Sequence, residues 1–198
     1  MKAIKYLSVL FFLSVVFYSC KPQDQQKHSL DPNTKAYIDV KNGSKYTFTQ
    51  PGDTNLVYVY TASNYNNSQS NPDIENSEIL SYDLISPGKP KITIRAESGG
   101  TQFRDRIAVV TNRNDSNFVG PIIFNLDGSF STINNSGDTV FTYQTYTING
   151  KVFNDVVRVK LFNIEMYREV FFAKNIGLIA RKERNGTLYY AKSYSVIK

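Results

Sequence analysis

The chain has 198 residues, a formal net charge of +6, one cysteine and one histidine. This length is sufficient for a single domain with its own hydrophobic core. The basic side chains are spread along the chain rather than gathered in one block, which argues against nucleic acid as a partner. A single cysteine excludes an internal disulfide and a multi-thiolate metal site.

The N-terminal segment is typical of an export signal. Lys2 and Lys5 form a short positive head, and the run from Tyr6 to Tyr18 carries no charge. A membrane-spanning helix needs about 20 apolar residues, so this run is too short for an anchor. The segment ends at Cys20, and we therefore predict a signal over residues 1–20.

The residues before the cysteine carry a resemblance. Phe17-Tyr18-Ser19-Cys20 resembles the lipid-attachment motif of Gram-negative lipoproteins, in the looser form found in Bacteroidota. The resemblance implies acyl chains on Cys20, which are enough for stable membrane anchoring. Lys21 replaces the Asp that retains such proteins at the inner membrane, which implies the outer membrane. The periplasmic and surface faces stay open.

The next stretch predicts a flexible tether over residues 21–35. It is polar, contains Pro22 and Pro32, and shows no apolar period. His28 lies in it, so a histidine triad or a histidine metal cluster is excluded from the predicted domain over 36–198.

The predicted domain is β-rich. The chain contains fourteen Tyr and thirteen Phe but no Trp, and both residue types favour strands. Short strand patterns recur at intervals of about a dozen residues. We predict an all-β antiparallel fold with little helix, either an open half-barrel or a β-sandwich; a division near 134–138 is a minor alternative. The predicted strands are 37–40, 46–49, 56–60, 79–85, 92–96, 103–111, 118–126, 130–133, 140–148, 152–162, 170–173, 176–180 and 188–197.

Turn residues separate these strands. Asn-Gly pairs, which favour hairpins, and Pro-Gly pairs mark five turns. Residues 63–77, rich in Asn and Ser, are predicted to be a loop. Gly120-Pro121 indicates an edge strand or a bulge, and Gly177 indicates a bulge or a close backbone approach. The five turns are Asn42-Gly43, Pro51-Gly52, Pro87-Gly88, Asn149-Gly150 and Asn185-Gly186.

Three stretches carry a second resemblance: residues 41–46, 147–159 and 170–183. Their pattern is similar to small Bacteroidota lipoproteins of uncharacterised function with a half-barrel-like β domain. The periplasmic lipoprotein carrier and its outer-membrane receptor have a comparable architecture. The resemblance implies anchoring and a fold, and it brings no catalytic residue.

Few residues point to chemistry. Residues 112–117 place oxygen-bearing side chains at alternate positions, but Asn117 and Ile123 replace the Gly and Glu of a calcium loop, so a turn is predicted. Asp138-Thr139-Val140 resembles a Bacteroidota O-glycosylation acceptor at Thr139, with a plain turn as the alternative. Paired carboxylates would be needed for glycoside hydrolysis, and the sequence does not pair them. The carboxylates are Asp105, Asp127, Asp138, Asp155, Glu165 and Glu169.

These observations predict no enzyme, cofactor or metal. The leading hypothesis is a non-enzymatic binding module of the cell envelope, attached to the membrane through lipid on Cys20. One alternative is a carrier or receptor for lipid or another apolar ligand, held in a concave face lined by Tyr, Phe and Val. Another is a structural accessory subunit that docks on an envelope protein.

Overall fold

The computed structural model describes residues 27–69, 77–99, 105–112, 118–124, 126, 139–160 and 167–198. The predicted signal and Cys20 lie outside the described residues. One helix, α1 (Pro32–Ile38), precedes the strands. The strands are β1 (Lys45–Gln50), β2 (Asp53–Gln69), β3 (Glu78–Ile85), β4 (Lys91–Glu97), β5 (Arg106–Asn112), β6 (Phe118–Phe124), β7 (Thr139–Ile148), β8 (Lys151–Lys160), β9 (Tyr167–Ala173), β10 (Gly177–Glu183) and β11 (Leu188–Ser195).

All eleven strands belong to one antiparallel sheet in the order β6-β5-β4-β3-β2-β1-β11-β10-β9-β8-β7. The first and last strands of the chain meet in its middle, where Lys45 pairs with Ser195 and Thr49 with Tyr190. From this joint two wings of neighbouring strands run outward, one from β1 to the edge strand β6 and the other from β11 to the edge strand β7. The prediction of an all-β half-barrel is confirmed, and a single continuous sheet replaces the sandwich alternative.

Contacts across the inner face show how strongly the sheet curls. The Thr111 hydroxyl on β5 donates to the Tyr167 hydroxyl on β9 at 3.1 Å. Seven interstrand steps separate these strands in the sheet order, which in a flat sheet would span about 34 Å. The enclosed space is filled by side chains that are almost fully buried: Tyr46, Phe48, Tyr60, Leu80, Tyr82, Ile94, Ile107, Val157 and Phe172.

The N-terminal segment is part of the fold, so the predicted tether is too long. Leu30 and Thr34 are buried, and the His28 carbonyl accepts the backbone N–H of Glu78 at 2.8 Å. Asp31 caps α1 by accepting the Asn33 N–H at 2.7 Å. The prediction of a strand over 37–40 is also wrong, because α1 extends to Ile38. A seven-residue helix is too short to show the helical period that would identify it.

Glu78 attaches this segment to the sheet. Its buried carboxylate accepts the Leu30 N–H at 3.0 Å and pairs with Lys35 at 2.8 Å. Burial acts to raise the pKa of Glu78, but the bonds from Lys35 and Leu30 outweigh it and hold the pKa below its ordinary value. At the far side of the helix, the Ala36 carbonyl accepts the Asn175 N–H at 2.6 Å. We call the end of the half-barrel that α1 covers the helix end.

Most of the predicted strands and turns are confirmed. Asn149 and Gly150 both have positive φ, as the predicted two-residue hairpin requires. Asn42-Gly43 is a turn, but it connects α1 to β1 rather than two strands. The loop prediction over 63–77 is wrong for Ser63 to Gln69, which continue β2 beside β3. The predicted strand 130–133 lies outside the described residues, as does the predicted turn 112–117 apart from Asn112, which ends β5.

Two glycine-based predictions concern how the sheet bends. β6, which contains Gly120-Pro121, is an edge strand with a register shift against β5, as predicted. Gly177 has a φ of 95°, and a Cβ there would lie 3.0 Å from Val40 and 3.1 Å from the hydroxyls of Tyr46 and Tyr82. The predicted close approach is therefore confirmed, and a register shift follows directly at Leu178/Ala180.

A second apolar cluster covers the outer face beside β11. Asp155 has a φ of 47° within β8, and the tip of the β7–β8 hairpin packs on the outer face of β11. Asn149 donates to the Tyr190 hydroxyl at 2.5 Å, and Lys151 donates to the Lys192 carbonyl at 2.9 Å. This packing fixes the position of β11 from outside, while Tyr189 and Ala191 on the same strand belong to the inner side.

Candidate functional site: a buried arginine among aromatic rings

Arg181 is the most unusual residue of the inner face. It lies on β10, opposite Val170 of β9 and Tyr189 of β11, and it is only 5% exposed. The register shift at Leu178/Ala180 sets the direction of the strand after it, so that a charged side chain enters the space between the two wings of the sheet. Arginine is almost never buried to this degree unless it is paired.

Four aromatic rings surround the guanidinium. Its central carbon lies 4.8 Å from the ring centre of Tyr189, 5.3 Å from Tyr60, 5.5 Å from Phe48 and 5.9 Å from Tyr167. These rings come from four different strands, and only the curl of the sheet brings them together. Rings at these distances attract a cation through their electron-rich faces. We call this group, with Arg181, the arginine cage.

The hydrogen bonds of the cage are incomplete. Nη2 of Arg181 donates to the Tyr60 hydroxyl at 3.3 Å, while Nε and Nη1 are buried and have no hydrogen-bond partner in the described part of the chain. With the described residues, Arg181 forms no ion pair. A guanidinium has five N–H groups, so most of its donor capacity is unused.

Arg158 provides an internal comparison. It also lies near two rings, 5.6 Å from Phe141 and 5.8 Å from Phe171. Unlike Arg181, it holds a carboxylate in a two-pronged pair, with both nitrogen–oxygen distances to Glu169 at 3.0 Å. That hydrogen bond, with burial opposing it, raises the pKa of Arg158. Both arginines thus have aromatic neighbours, but among the described residues Arg158 has an acidic partner and Arg181 does not.

A pair of half-buried tyrosines forms the outer layer of the cage. The rings of Tyr58 and Tyr189 lie 5.6 Å apart, and the Lys89 ammonium lies 4.1 Å from the ring centre of Tyr58. Lys89 is exposed in the turn between β3 and β4. The tyrosine pair therefore contacts two cations, the exposed Lys89 through Tyr58 and the buried Arg181 through Tyr189.

Glu183 is the acid that shares this region of the inner face. It lies two residues after Arg181 on β10 and is half-buried. Burial raises the pKa of Tyr189, and the Glu183 carboxylate raises it further while Arg181 opposes the shift. Tyr167 responds in the same way: burial raises its pKa and Arg181 opposes the shift. The site is therefore a mixed-charge region, not a uniformly positive one.

The arginine cage lies at the end of the half-barrel opposite α1. The hairpin turns β1–β2, β3–β4 and β10–β11 converge there, with Gly52, Gly88 and Gly186 at positive φ. We call it the hairpin end. Among the described residues no helix crosses it, whereas α1 covers the helix end.

The residues singled out from the sequence lie elsewhere. Cys20 is outside the described residues, and Thr139 is exposed at the first position of the edge strand β7. Asp105 accepts the Asp31 N–H at 2.7 Å, Glu169 pairs with Arg158, and Asp155 occupies the bend of β8. These three carboxylates thus occupy separate positions: Asp105 directly before β5, Asp155 on β8 and Glu169 on β9. Asp127, Asp138 and Glu165 lie outside the described residues.

The described residues form neither a metal-binding cluster nor a membrane-spanning helix. They contain no group of three or more His, Cys, Asp or Glu side chains arranged to hold a metal ion. They also contain no helix long and apolar enough to span a membrane. In comparisons with known proteins, the chain matches no family model, no curated protein and no solved structure.

Sequence reasoning missed Arg181. In the sequence it belongs to the run Ala180-Arg181-Lys182-Glu183-Arg184, which has the composition of an exposed strand end. The bulge after Gly177 turns Arg181 inward, and its ring neighbours lie as far as 133 residues away in the chain, as for Phe48. The one available signal was Gly177, which marked the place where the sheet changes direction.

Proposed function

We propose that this chain is a non-enzymatic binding module of the cell envelope, held at the outer membrane by lipid on Cys20. Its ligand binds at the hairpin end of the half-barrel, against Arg181. The observation that carries the proposal is the buried guanidinium with unpartnered N–H groups. A buried charge with unpartnered N–H groups lowers the stability of the folded protein, so its presence indicates a role in binding.

The architecture fits a receptor more closely than a catalyst. Binding sites are concave, mostly apolar and equipped with a few placed polar groups. The arginine cage has this composition, since one guanidinium and several hydroxyls stand among aromatic rings. Catalysis by acid and base requires titratable groups whose pKa values suit proton transfer, whereas burial raises the pKa of Tyr167 and Tyr189 and so keeps both hydroxyls protonated.

The two alternatives receive less support. A carrier for lipid needs an empty apolar space, whereas Tyr46, Phe48 and Phe172 fill the described interior. An accessory subunit needs an extended docking face, and the exposed apolar side chains of β2, Val57 and Val59, form a small one. Neither alternative explains why the charged side chain of Arg181 is buried without an acidic partner among the described residues.

Anchoring and binding are tested separately. Cys20→Ser expressed in the native host should leave the membrane fraction and fail to incorporate labelled palmitate. Native mass spectrometry of the full chain, extracted gently from its own membrane, should show a retained small molecule. That mass should be absent from Arg181→Lys. Palmitate incorporation into Cys20→Ser would refute the anchoring, and a bare mass for the unsubstituted chain would refute the binding role.

A further inference from the structure

We infer that the ligand of the arginine cage is a small organic acid with a single negative charge, whose carboxylate binds Arg181 and whose apolar body lies between Tyr58 and Tyr189. This inference rests on the proposed binding role and names the ligand class. It is carried by three features of the described structure: a missing acid, a local charge balance and a tyrosine pair that contacts two cations.

The missing acid follows from the comparison of the two arginines. Arg158 is 25% exposed at its side chain and has Glu169 as its partner. Arg181 is more deeply buried, and among the described residues its one hydrogen-bond partner is the Tyr60 hydroxyl, at 3.3 Å. Carboxylates complement the planar guanidinium, which accepts them through parallel N–H groups. The free N–H groups on Nε and Nη1 are therefore suited to an oxyanion from outside the chain.

The charge balance selects one negative charge. Arg181 and Glu183 lie on the same stretch of β10 and both act on Tyr189, and the exposed Lys89 contacts Tyr58. Among the described charged groups that interact with the tyrosine pair, these three sum to one positive charge at neutral pH. A carboxylate neutralises that positive charge, whereas a doubly charged phosphate would leave a net negative charge beside Glu183. Burying an uncompensated charge is unfavourable, so the monoanion is the better fit.

The tyrosine pair explains why the ligand has an apolar body and how the ligand reaches Arg181. Arg181 is covered, so a ligand reaches it only when the half-buried Tyr189 turns away from its contact with Tyr58. The exposed Lys89 contacts Tyr58 of this pair and attracts an anion to it. A flat apolar body replaces the stacking that the two rings lose when they separate. Small aromatic acids have this shape and charge.

The test uses the full chain purified from membranes in a mild detergent. Isothermal titration with benzoate, benzamide and phenyl phosphate compares a monoanion, its neutral counterpart and a dianion on the same ring. We expect benzoate to bind at least about tenfold more tightly than either of the others. Arg181→Lys should weaken benzoate binding about tenfold or more, because an ammonium lacks the planar fork.

Arg158→Lys is the matched control, since it makes the same change at a ring-neighboured arginine that already has its acid. Its benzoate affinity should stay within about twofold of the unsubstituted chain. Equal binding of benzamide, tighter binding of phenyl phosphate, absence of benzoate binding, or full binding by a folded Arg181→Lys would each overturn the inference. If native mass spectrometry still shows an Arg181-dependent small molecule in that case, the binding role survives and only the carboxylate is wrong. If no such molecule is found, both fail.

Discussion

Replacing Arg181 by methionine should stabilise the ligand-free protein. The substitution keeps a long side chain among the four rings and removes the buried charge. A buried charge without its partner is unfavourable by about 3–5 kcal/mol. A desolvated cation gains about 2 kcal/mol from aromatic rings, and because the four rings share one guanidinium we take this value as their total offset. The hydrogen bond to Tyr60 offsets about 1 kcal/mol more.

The balance leaves Arg181 unfavourable by about 1 kcal/mol, so Arg181→Met should raise the free energy of unfolding by that amount. The melting temperature should rise by about 3 °C for a chain of this length. Urea unfolding followed by tyrosine fluorescence measures the change directly. Arg158→Met is the control: it strands the Glu169 carboxylate and should lower stability by about 3 kcal/mol. A loss of more than about 1 kcal/mol in Arg181→Met would show that the cage exists to hold the fold, and the reasoning would be refuted.

Three other predictions concern the ends of the half-barrel and the tyrosine pair. Gly177→Ala should lower stability by about 3 kcal/mol, because its Cβ meets three buried atoms, while Gly186→Ala at a similar φ meets nothing and should lose only about 1 kcal/mol. Glu78→Gln should lower stability at neutral pH by about 2 kcal/mol, measured by urea unfolding. Because the folded-state pKa of Glu78 is lowered, its contribution is present above the ordinary pKa and is lost as pH falls through the folded value, so the difference between the two proteins should vanish in acid. Tyr189→Ala should expose Arg181 and speed its modification by phenylglyoxal, measured by mass spectrometry.

Each of these has a contrary outcome. Equal losses for the two glycine variants would mean that the packing around Gly177 relaxes without penalty. A Glu78→Gln difference that persists undiminished in acid would mean that the carboxylate charge is not what attaches the N-terminal segment. Unchanged phenylglyoxal reactivity in Tyr189→Ala would place the covering of Arg181 elsewhere in the structure.

Local patterns predicted the strands well. Alternating Tyr, Phe and Val with Asn-Gly and Pro-Gly turns gave nearly every described strand, because hairpin geometry is set by two or three adjacent residues. The failures were also local in origin. Apart from Tyr65, the residues from Ser63 to Gln69 are polar, but they still form the end of β2 because pairing with β3 satisfies backbone groups whatever the side chains are.

The helix and the cage were beyond sequence reasoning for a different reason. Pro32 marks both a tether and a helix start, and only the packing of Leu30 and Ile38 against the sheet decides between them. Arg181 meets Phe48 and Tyr60 only after the two wings close over a common interior. Such contacts depend on the register of strands far apart in the chain, which a single sequence does not reveal.

The joint between β1 and β11 has a consequence for the order of assembly. The wing β1–β6 consists of neighbouring hairpins and forms from local contacts as soon as its residues are available, whereas β11 is the last of the described strands in chain order. A chain synthesised from its N-terminus thus leaves one side of β1 unpaired until β11 has been made. During that interval residues 45–50 present an open strand edge, which is prone to pair with other chains. Closure between residues about 150 positions apart should be the slow step, and a partner that shields this edge in transit would protect the protein until its last hairpin arrives.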